Sequence, residues 1–240
     1  MKVDMLHAPD VVDVWRVSVL ESPIAELTRL LSAEERERAE RFAFLRDRDQ
    51  FIAVRGWLRR LLGAYLHRSP SDIRFALGPQ GKPHLDEPGC DLQFNVSHSG
   101  DVGMLAFSRD RELGVDVERD ERSVDVADLA RSCFSDVEQR AFESLPTHRR
   151  RERFFQLWSA KEAYIKARGG GLSIPLQDFS IDVSSESDEW IVTTSTPADV
   201  PFQLVRRLPA PAGYAAAVAV GGDSWKVQLR DTVESTVNAL

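Results

Sequence analysis

The sequence predicts an α+β fold, a pseudo-dimer of two similar halves that each pack a small, mostly antiparallel sheet with helices. Two observations lead there. Helical segments followed by closely spaced short strands occur twice along the chain, at comparable lengths. Short polar turns, Ser99-Gly100-Asp101 and Arg109-Asp110-Arg111-Glu112, separate strand-like runs, which is the connectivity of a meander rather than of βαβ crossovers. The halves meet near residue 112, giving an N-terminal unit over 1–112 and a C-terminal unit over 113–240. No residue-level repeat accompanies the duplication, so it rests on the order of elements. A chain of 240 residues is long enough for one large domain or two small ones, with a core that needs no covalent staples.

The elements follow in order. Val11 to Leu20 alternates as a strand. Ser32 and Glu35 form a capping box that opens a charged helix near Ala33. A second helix follows Asp47, because Phe51, Val54, Leu58, Leu61, Leu62 and Tyr65 recur at helical spacing; Ser69-Pro70 ends it. Ile73 to Leu77 is a short strand, and Gly78 to Pro83 is a loop punctuated by two glycines and two prolines. Phe94 to Ser97, Val102 to Ser108 and Leu113 to Glu118 read as the three strands of a meander. In the second half, Ser135 and Glu138 cap a helix of about two turns, and a longer helix runs from Arg149 to Arg168 and stops at Gly169-Gly170-Gly171. Strands are expected at Phe179–Val183, Trp190–Ser195, Phe202–Arg206, Tyr214–Val220 and Trp225–Leu229, with a weakly ordered tail after Arg230.

Composition excludes several classes. The net charge of −7 argues against a general nucleic-acid binder, and no stretch has the length and apolarity of a membrane span. No secretory signal is visible at Met1-Lys2-Val3-Asp4, and Cys90 and Cys133 form no framework, which suits free thiols in a cytoplasmic protein. Only 5 of 31 basic residues are lysine, an imbalance that codon bias explains. The charge is clustered, however. Residues 36–60 sum to +4, residues 149–168 to +5 and the remainder to −16. Two basic islands in an acidic chain point to a local anion site, although solvated helix faces give the same pattern.

Three motifs carry chemistry. In Gly114-Val115-Asp116-Val117-Glu118, alternation places Val115 and Val117 on the core face and Asp116 and Glu118 together on the other, about 6.5–7 Å apart. Two such carboxylates can hold a divalent cation, or simply face solvent. In Phe154–Lys166, the side chains of Phe154, Trp158 and Ile165 form a stripe. Glu162 and Lys166, spaced i and i+4, lie at its rim, where charged groups reach a cleft; a plain surface ion pair has the same spacing. In Phe94-Asn95-Val96-Ser97-His98-Ser99-Gly100, a Ser-His pair at a strand end can donate hydrogen bonds to phosphate. Neighbouring residues on a strand point to opposite faces, so His98 is badly placed to activate Ser97, and no G-x-S-x-G elbow exists. Gly81-Lys82-Pro83 is not a Walker A loop but can present a lysine to an anion.

In this order, GKP, FNVSHSG, GVDVE and FFQLWSAKEAYIKARGGGL resemble the 4′-phosphopantetheinyl transferases. The likeness is closer to the surfactin-synthetase-activating class, in the subgroup with Trp158 before Lys161-Glu162-Ala163, and spans roughly Leu31 to Leu172. The resemblance implies the pseudo-dimeric transferase fold in a monomer. It implies transfer of 4′-phosphopantetheine from coenzyme A to a serine of an acyl or peptidyl carrier protein. It further implies Asp116, Glu118 and Glu162 as ligands of Mg²⁺, with Mn²⁺ also suited. Lys166 would contact the phosphates and assist the leaving 3′,5′-ADP, and Glu162 would be the base. Lys82, Pro83, Ser97 and His98 would line the nucleotide of coenzyme A, with Arg46 as a further phosphate contact. Relatives often carry basic contacts in the N-terminal helices where this chain has Glu35 and Gln50; Arg38, Arg46 and Arg55 are expected to share that work. The alternative is a non-catalytic coenzyme A or carrier-protein binding module on the same fold.

Overall fold

The computed structural model describes residues 10–120, 123–170, 174–182, 187–194, 204–222 and 224–232. The first half holds β1 (Val11–Ser18), α1 (Ile24–Leu30), α2 (Ala33–Glu40), α3 (Leu45–Leu66), β2 (Phe75–Leu77), β3 (Pro83–Leu85), β4 (Leu92–Ser99) and β5 (Val102–Arg109). It continues with β6 (Leu113–Arg119), α4 (Val126–Cys133), α5 (Asp136–Ser144) and α6 (Thr147–Arg168), then β7 (Phe179–Asp182), β8 (Glu189–Thr194), β9 (Leu204–Leu208), β10 (Tyr214–Val220) and β11 (Lys226–Asp231). The fold is α+β with mostly antiparallel sheets. One has the order β11-β1-β5-β4, the other β6-β10-β9-β8-β7, and β2-β3 form a hairpin. Gly171, Val183, Ser195, Phe202 and the chain after Thr232 lie outside the described residues. Among those described, no helix is long and apolar enough to cross a membrane.

Four layers result. Leu27, Leu58, Leu61 and Trp15 form the core between α1–α3 and the first sheet. Val12, Val14, Met104, Val115, Val117 and Val218 fill the space between the two sheets. Phe154, Tyr164, Ala217 and Trp190 pack α4–α6 onto the second sheet.

Three features differ from the sequence reading. The third strand of the expected meander, β6, leaves it and pairs antiparallel with β10, because β5 already has β1 and β4 at its two edges. The last strand, β11, pairs parallel with β1 of the first sheet. Side chains fasten it there: Arg16 binds Asp231 through two hydrogen bonds of 2.6 and 2.7 Å. Buried Asp13 accepts from Tyr65 Oη at 2.7 Å and Arg230 Nε at 3.4 Å. Finally, α1 and α4 are helices too short for their periodicity to register, and the Gly78–Pro83 loop leads straight into β3.

Both capping boxes form as expected, and each glutamate does a second task. Glu35 binds Arg55 and Arg59 of α3, with Arg59 Nε at 2.6 Å. Glu138 binds Lys161 of α6 at 2.6 and 2.8 Å, and Lys161 Nζ also donates to the Phe179 carbonyl at 2.8 Å. Each pair therefore ties a short helix to the 22-residue helix of its own half.

The approach of α6 to β6 is set by Gly114. A Cβ there would lie 2.2 Å from the Ala163 carbonyl oxygen and the Ala167 nitrogen, so any side chain would push the helix away. This crossing brings the last turns of α6 over Asp116. Asp116 is 2% exposed, not on a solvent face as one sheet face alone would suggest, because α6 covers it.

Removing one member of a fully buried ion pair strands the other charge. Lys161→Ala is therefore expected to lower unfolding free energy by about 3–5 kcal/mol, measured by guanidinium denaturation. Lys161→Met combined with Glu138→Gln should recover much of that loss.

Candidate functional site

The site lies where β4, β6 and the C-terminal half of α6 meet. Lys166 Nζ reaches Asp116 Oδ1 at 2.6 Å and Ser97 Oγ at 3.0 Å. Ser97 Oγ donates to Asp116 Oδ1 at 2.9 Å. Glu118 Oε1 accepts from the Trp158 indole N–H at 3.2 Å, and Oε2 accepts from Ser99 Oγ at 3.3 Å. Glu162 stands one helical turn before Lys166, half-buried, and no hydrogen bond to its carboxylate is present among the described residues.

The electrostatics are those of crowded carboxylates. Burial, then the charge of Asp116, pushes the Glu118 carboxyl above the ordinary range against the opposing pull of Trp158, Lys166 and Ser99. Burial and Asp116 also raise Glu162, with Lys166 opposing. One oxygen, Asp116 Oδ2, is buried with no hydrogen-bond partner. Such an atom costs stability unless something occupies it.

A hard divalent cation fits this donor set. The donors are carboxylate oxygens, one of them orphaned, and the surplus negative charge is partly buried. Among the described residues no three His, Cys, Asp or Glu side chains are already drawn together as a metal cage. Instead, the ammonium of Lys166 supplies the positive charge at Asp116.

The residues expected to line a nucleotide are spread around this centre. His98 is exposed, on the opposite face of β4 from Ser97, which leaves no Ser-His nucleophile pair. Partial desolvation of its ring by the surrounding chain, then the charges of Lys166 and Arg38, holds its pKa below the usual histidine range. Lys82 sits at a cleft of about 340 Å³ that Pro83, Gly78 and Gly169 also line. Its ammonium is engaged by the carbonyls of Leu113 at 3.0 Å and Ala167 at 3.5 Å, so it fastens the loop to β6 and α6. Arg46 is exposed and lies 3.7 Å from Asp101. Of the arginines expected to share the phosphate contact, Arg55 is tied to Glu35, whereas Arg38 stacks over Phe51 and acts on His98. Gln50 holds the turn after β4 by donating to the Gly100 carbonyl at 2.6 Å.

Sequence reasoning missed Trp158 and Ser99 as partners of Glu118, and Asn95 altogether. Trp158 fell within an apolar stripe, and its polar edge left no trace in that periodicity. Asn95, Ser97 and Ser99 do carry a signal: three small polar residues at every second position along β4, on one face of the strand.

Because both glutamates are raised in the metal-free fold, they favour folding below about pH 4.5 and lose that contribution as pH rises through their elevated values. Neutralising one of them relieves the repulsion. Glu118→Gln is expected to raise the metal-free melting temperature at pH 7 by about 2–4 °C, the equivalent of roughly 1 kcal/mol. On addition of Mg²⁺, this variant is expected to gain less stability than the unaltered chain, as read by calorimetry.

Two family profiles match the chain. Residues 15–110 match "4′-phosphopantetheinyl transferase, N-terminal" and residues 112–219 match the 4′-phosphopantetheinyl transferase superfamily. The 4′-phosphopantetheinyl transferase HetI of Nostoc sp. is 34% identical over 221 residues, 90% of this chain and 90% of that protein. The 4′-phosphopantetheinyl transferase Sfp of Bacillus subtilis is 33% identical over 152 residues, 63% of this chain and 66% of that one. Among solved structures, the holo-[acyl-carrier-protein] synthase of Thermotoga maritima is 25% identical with a TM-score of 0.39, covering 47% of this chain and 63% of that chain. With two adjoining profiles accounting for residues 15–110 and 112–219 and a relative alike over nine-tenths of both lengths, the chain belongs to the 4′-phosphopantetheinyl transferase superfamily.

Proposed function

We propose that this chain transfers the 4′-phosphopantetheine group of coenzyme A to a serine hydroxyl of an acyl or peptidyl carrier protein and releases adenosine 3′,5′-bisphosphate. The observation that carries the reading is the orphaned Asp116 Oδ2 beside two raised glutamates, with Lys166 anchored at the same carboxylate. The names of the relatives support the same activity.

The roles divide as follows. Asp116, Glu118 and Glu162 would hold Mg²⁺ or Mn²⁺, which when bound supplies neutralisation of the pyrophosphate charge. Glu162, raised above the ordinary carboxyl range and without a hydrogen-bond partner among the described residues, takes the proton of the attacking serine directly or through one water. The serine oxygen forms its bond to the β-phosphorus as the bond from that phosphorus to the bridging oxygen breaks. Lys166 has three N–H donors, and Asp116 and Ser97 engage two of them. The third can meet the charge that develops on the departing bisphosphate. His98, Arg38 and Arg46 supply donors for the nucleotide phosphates. Lys82 and Pro83 shape the loop beside the adenosine rather than pairing with charge.

The same reading takes the chain as a monomer whose halves, 1–112 and 113–240, bracket the site, working in the cytoplasm with Cys90 and Cys133 as free thiols. Its macromolecular partner is a carrier-protein domain of a fatty-acid, polyketide or nonribosomal-peptide synthase.

The test is mass spectrometry of apo carrier proteins incubated with coenzyme A and Mg²⁺. An adduct of ~340 Da on at least one carrier is expected, this being the mass of the group moved by the phosphoryl transfer. Unmodified carriers across a broad panel would overturn the transfer reading. Asp116→Ala should reduce the rate by about 10²–10³-fold or more, the range seen when one preorganised electrostatic group is lost, with an unchanged far-UV circular dichroism spectrum. Full activity of that variant at saturating Mg²⁺ would refute the ligand assignment.

A further inference from the structure

We infer that Asn95, Ser97 and Ser99 are positioning residues that hold β6 in register against β4 and so aim the Asp116 and Glu118 carboxylates. The ligand part of this inference rests on the metal site proposed above. The register part stands without it.

The argument begins with an accounting of backbone hydrogen bonds. One edge of β6 pairs with β10. On the other edge, alternate N–H groups are buried and need acceptors. Among the described residues no strand pairs there. The acceptors are side chains of β4: Val115 N–H donates to Asn95 Oδ1 at 2.9 Å, Val117 N–H to Ser97 Oγ at 3.4 Å and Arg119 N–H to Ser99 Oγ at 3.1 Å. Both series have a period of two, so the three contacts form a ladder of side chains joining two sheets. A slip of one residue would set Val96, which has no acceptor, and the bulky ring of His98 against β6 in place of the two small hydroxyls.

Each serine rung also reaches the carboxylate one residue earlier on β6. Ser97 takes the Val117 N–H and donates to Asp116. Ser99 takes the Arg119 N–H and donates to Glu118. The Asn95 rung takes the Val115 N–H, and the residue before Val115 is Gly114, where α6 crosses and no side chain fits.

The hydroxyl of Ser97 is then fully used. A serine has one donor and two acceptor positions. The donor goes to Asp116 Oδ1, and the acceptors take Val117 N–H and Lys166 Nζ. All three positions are engaged within the chain. What the hydroxyl does achieve is to occupy Oδ1 together with Lys166, which leaves Oδ2 as the unpartnered oxygen.

The test compares Ser97→Ala with Ser97→Thr, which keeps the hydroxyl. Two readouts need no turnover. Hydrogen exchange of the metal-free chain reports the Val117 amide, and electron paramagnetic resonance with Mn²⁺ alone, without coenzyme A, reports metal affinity. Ser97→Ala is expected to speed exchange at Val117 and weaken Mn²⁺ binding about tenfold or more, the range found when a group that orients a metal ligand is removed. Ser97→Thr should restore both. Unchanged exchange and unchanged Mn²⁺ affinity, with only the KM for coenzyme A raised, would overturn the positioning role. If Ser97→Ala does not fold, Ser99→Ala applies the same measurements to the Arg119 amide and Mn²⁺. Faster Val117 exchange in a chain that modifies no carrier would sustain the ladder while overturning the proposed activity.

Discussion

The architecture depends on how β6 is enclosed. The strand is backed by β10 on one edge, by side chains of β4 on the other, by the first sheet on one face and by α6 on the other. A strand so surrounded would ordinarily be apolar throughout. This one carries Asp116 and Glu118, whose charges can neither reach bulk water freely nor be fully neutralised by Lys166. The site is therefore not a cleft to which charges were added. It is a packing arrangement that holds two carboxylates where a cation or a cationic side chain must compensate them.

The positive residues show the same logic. The basic islands of the sequence are largely committed to structure. Arg55 and Arg59 bind Glu35, Lys161 binds Glu138, and Arg151 binds Asp120. Each anchors a short helix or loop to one of the two long helices or its flank. Of the three lysines inside the conspicuous motifs, only Lys166 stands at the carboxylates. Lys161 points into the core behind α6, and Lys82 binds backbone carbonyls. A net positive stretch of sequence thus overstates the free cations at the surface, because the partners that consume them lie far away in sequence.

Legibility followed sequence distance. Both capping boxes, the two long helices, the strands β4 and β5 and the alternation along β6 were readable, since each is written within a few adjacent residues. The departure of β6 from its meander and the return of β11 to β1 were not. Both are decided by which strand edges remain unpaired once the rest of the chain has folded. Strand alternation placed Asp116 and Glu118 on one face and helical spacing placed Glu162 and Lys166 at one rim of α6; the family resemblance, not the spacing, joined the four in one candidate site. The burial of Asp116 was not legible, because it comes from α6 covering the face that periodicity assigns to solvent. Trp158 shows the same limit: its ring belongs to the stripe beside Phe154 while its N–H serves Glu118.

The two devices that set the site are independent in chemistry and share a single purpose. Gly114 fixes how near α6 comes, by having no Cβ, and so governs the distance from Glu162 and Lys166 to Asp116. The Asn95-Ser97-Ser99 ladder fixes where β6 lies along β4, by hydrogen bonds, and so governs which way Asp116 and Glu118 point. Glycine supplies steric permission and the ladder supplies direction, and neither can replace the other. A carboxylate brought near without orientation would turn to satisfy both oxygens on Lys166. One oriented without proximity would lack the lysine that holds Oδ1. The unpartnered Oδ2 exists because both constraints act together, and that atom is what makes the junction receptive to a cation.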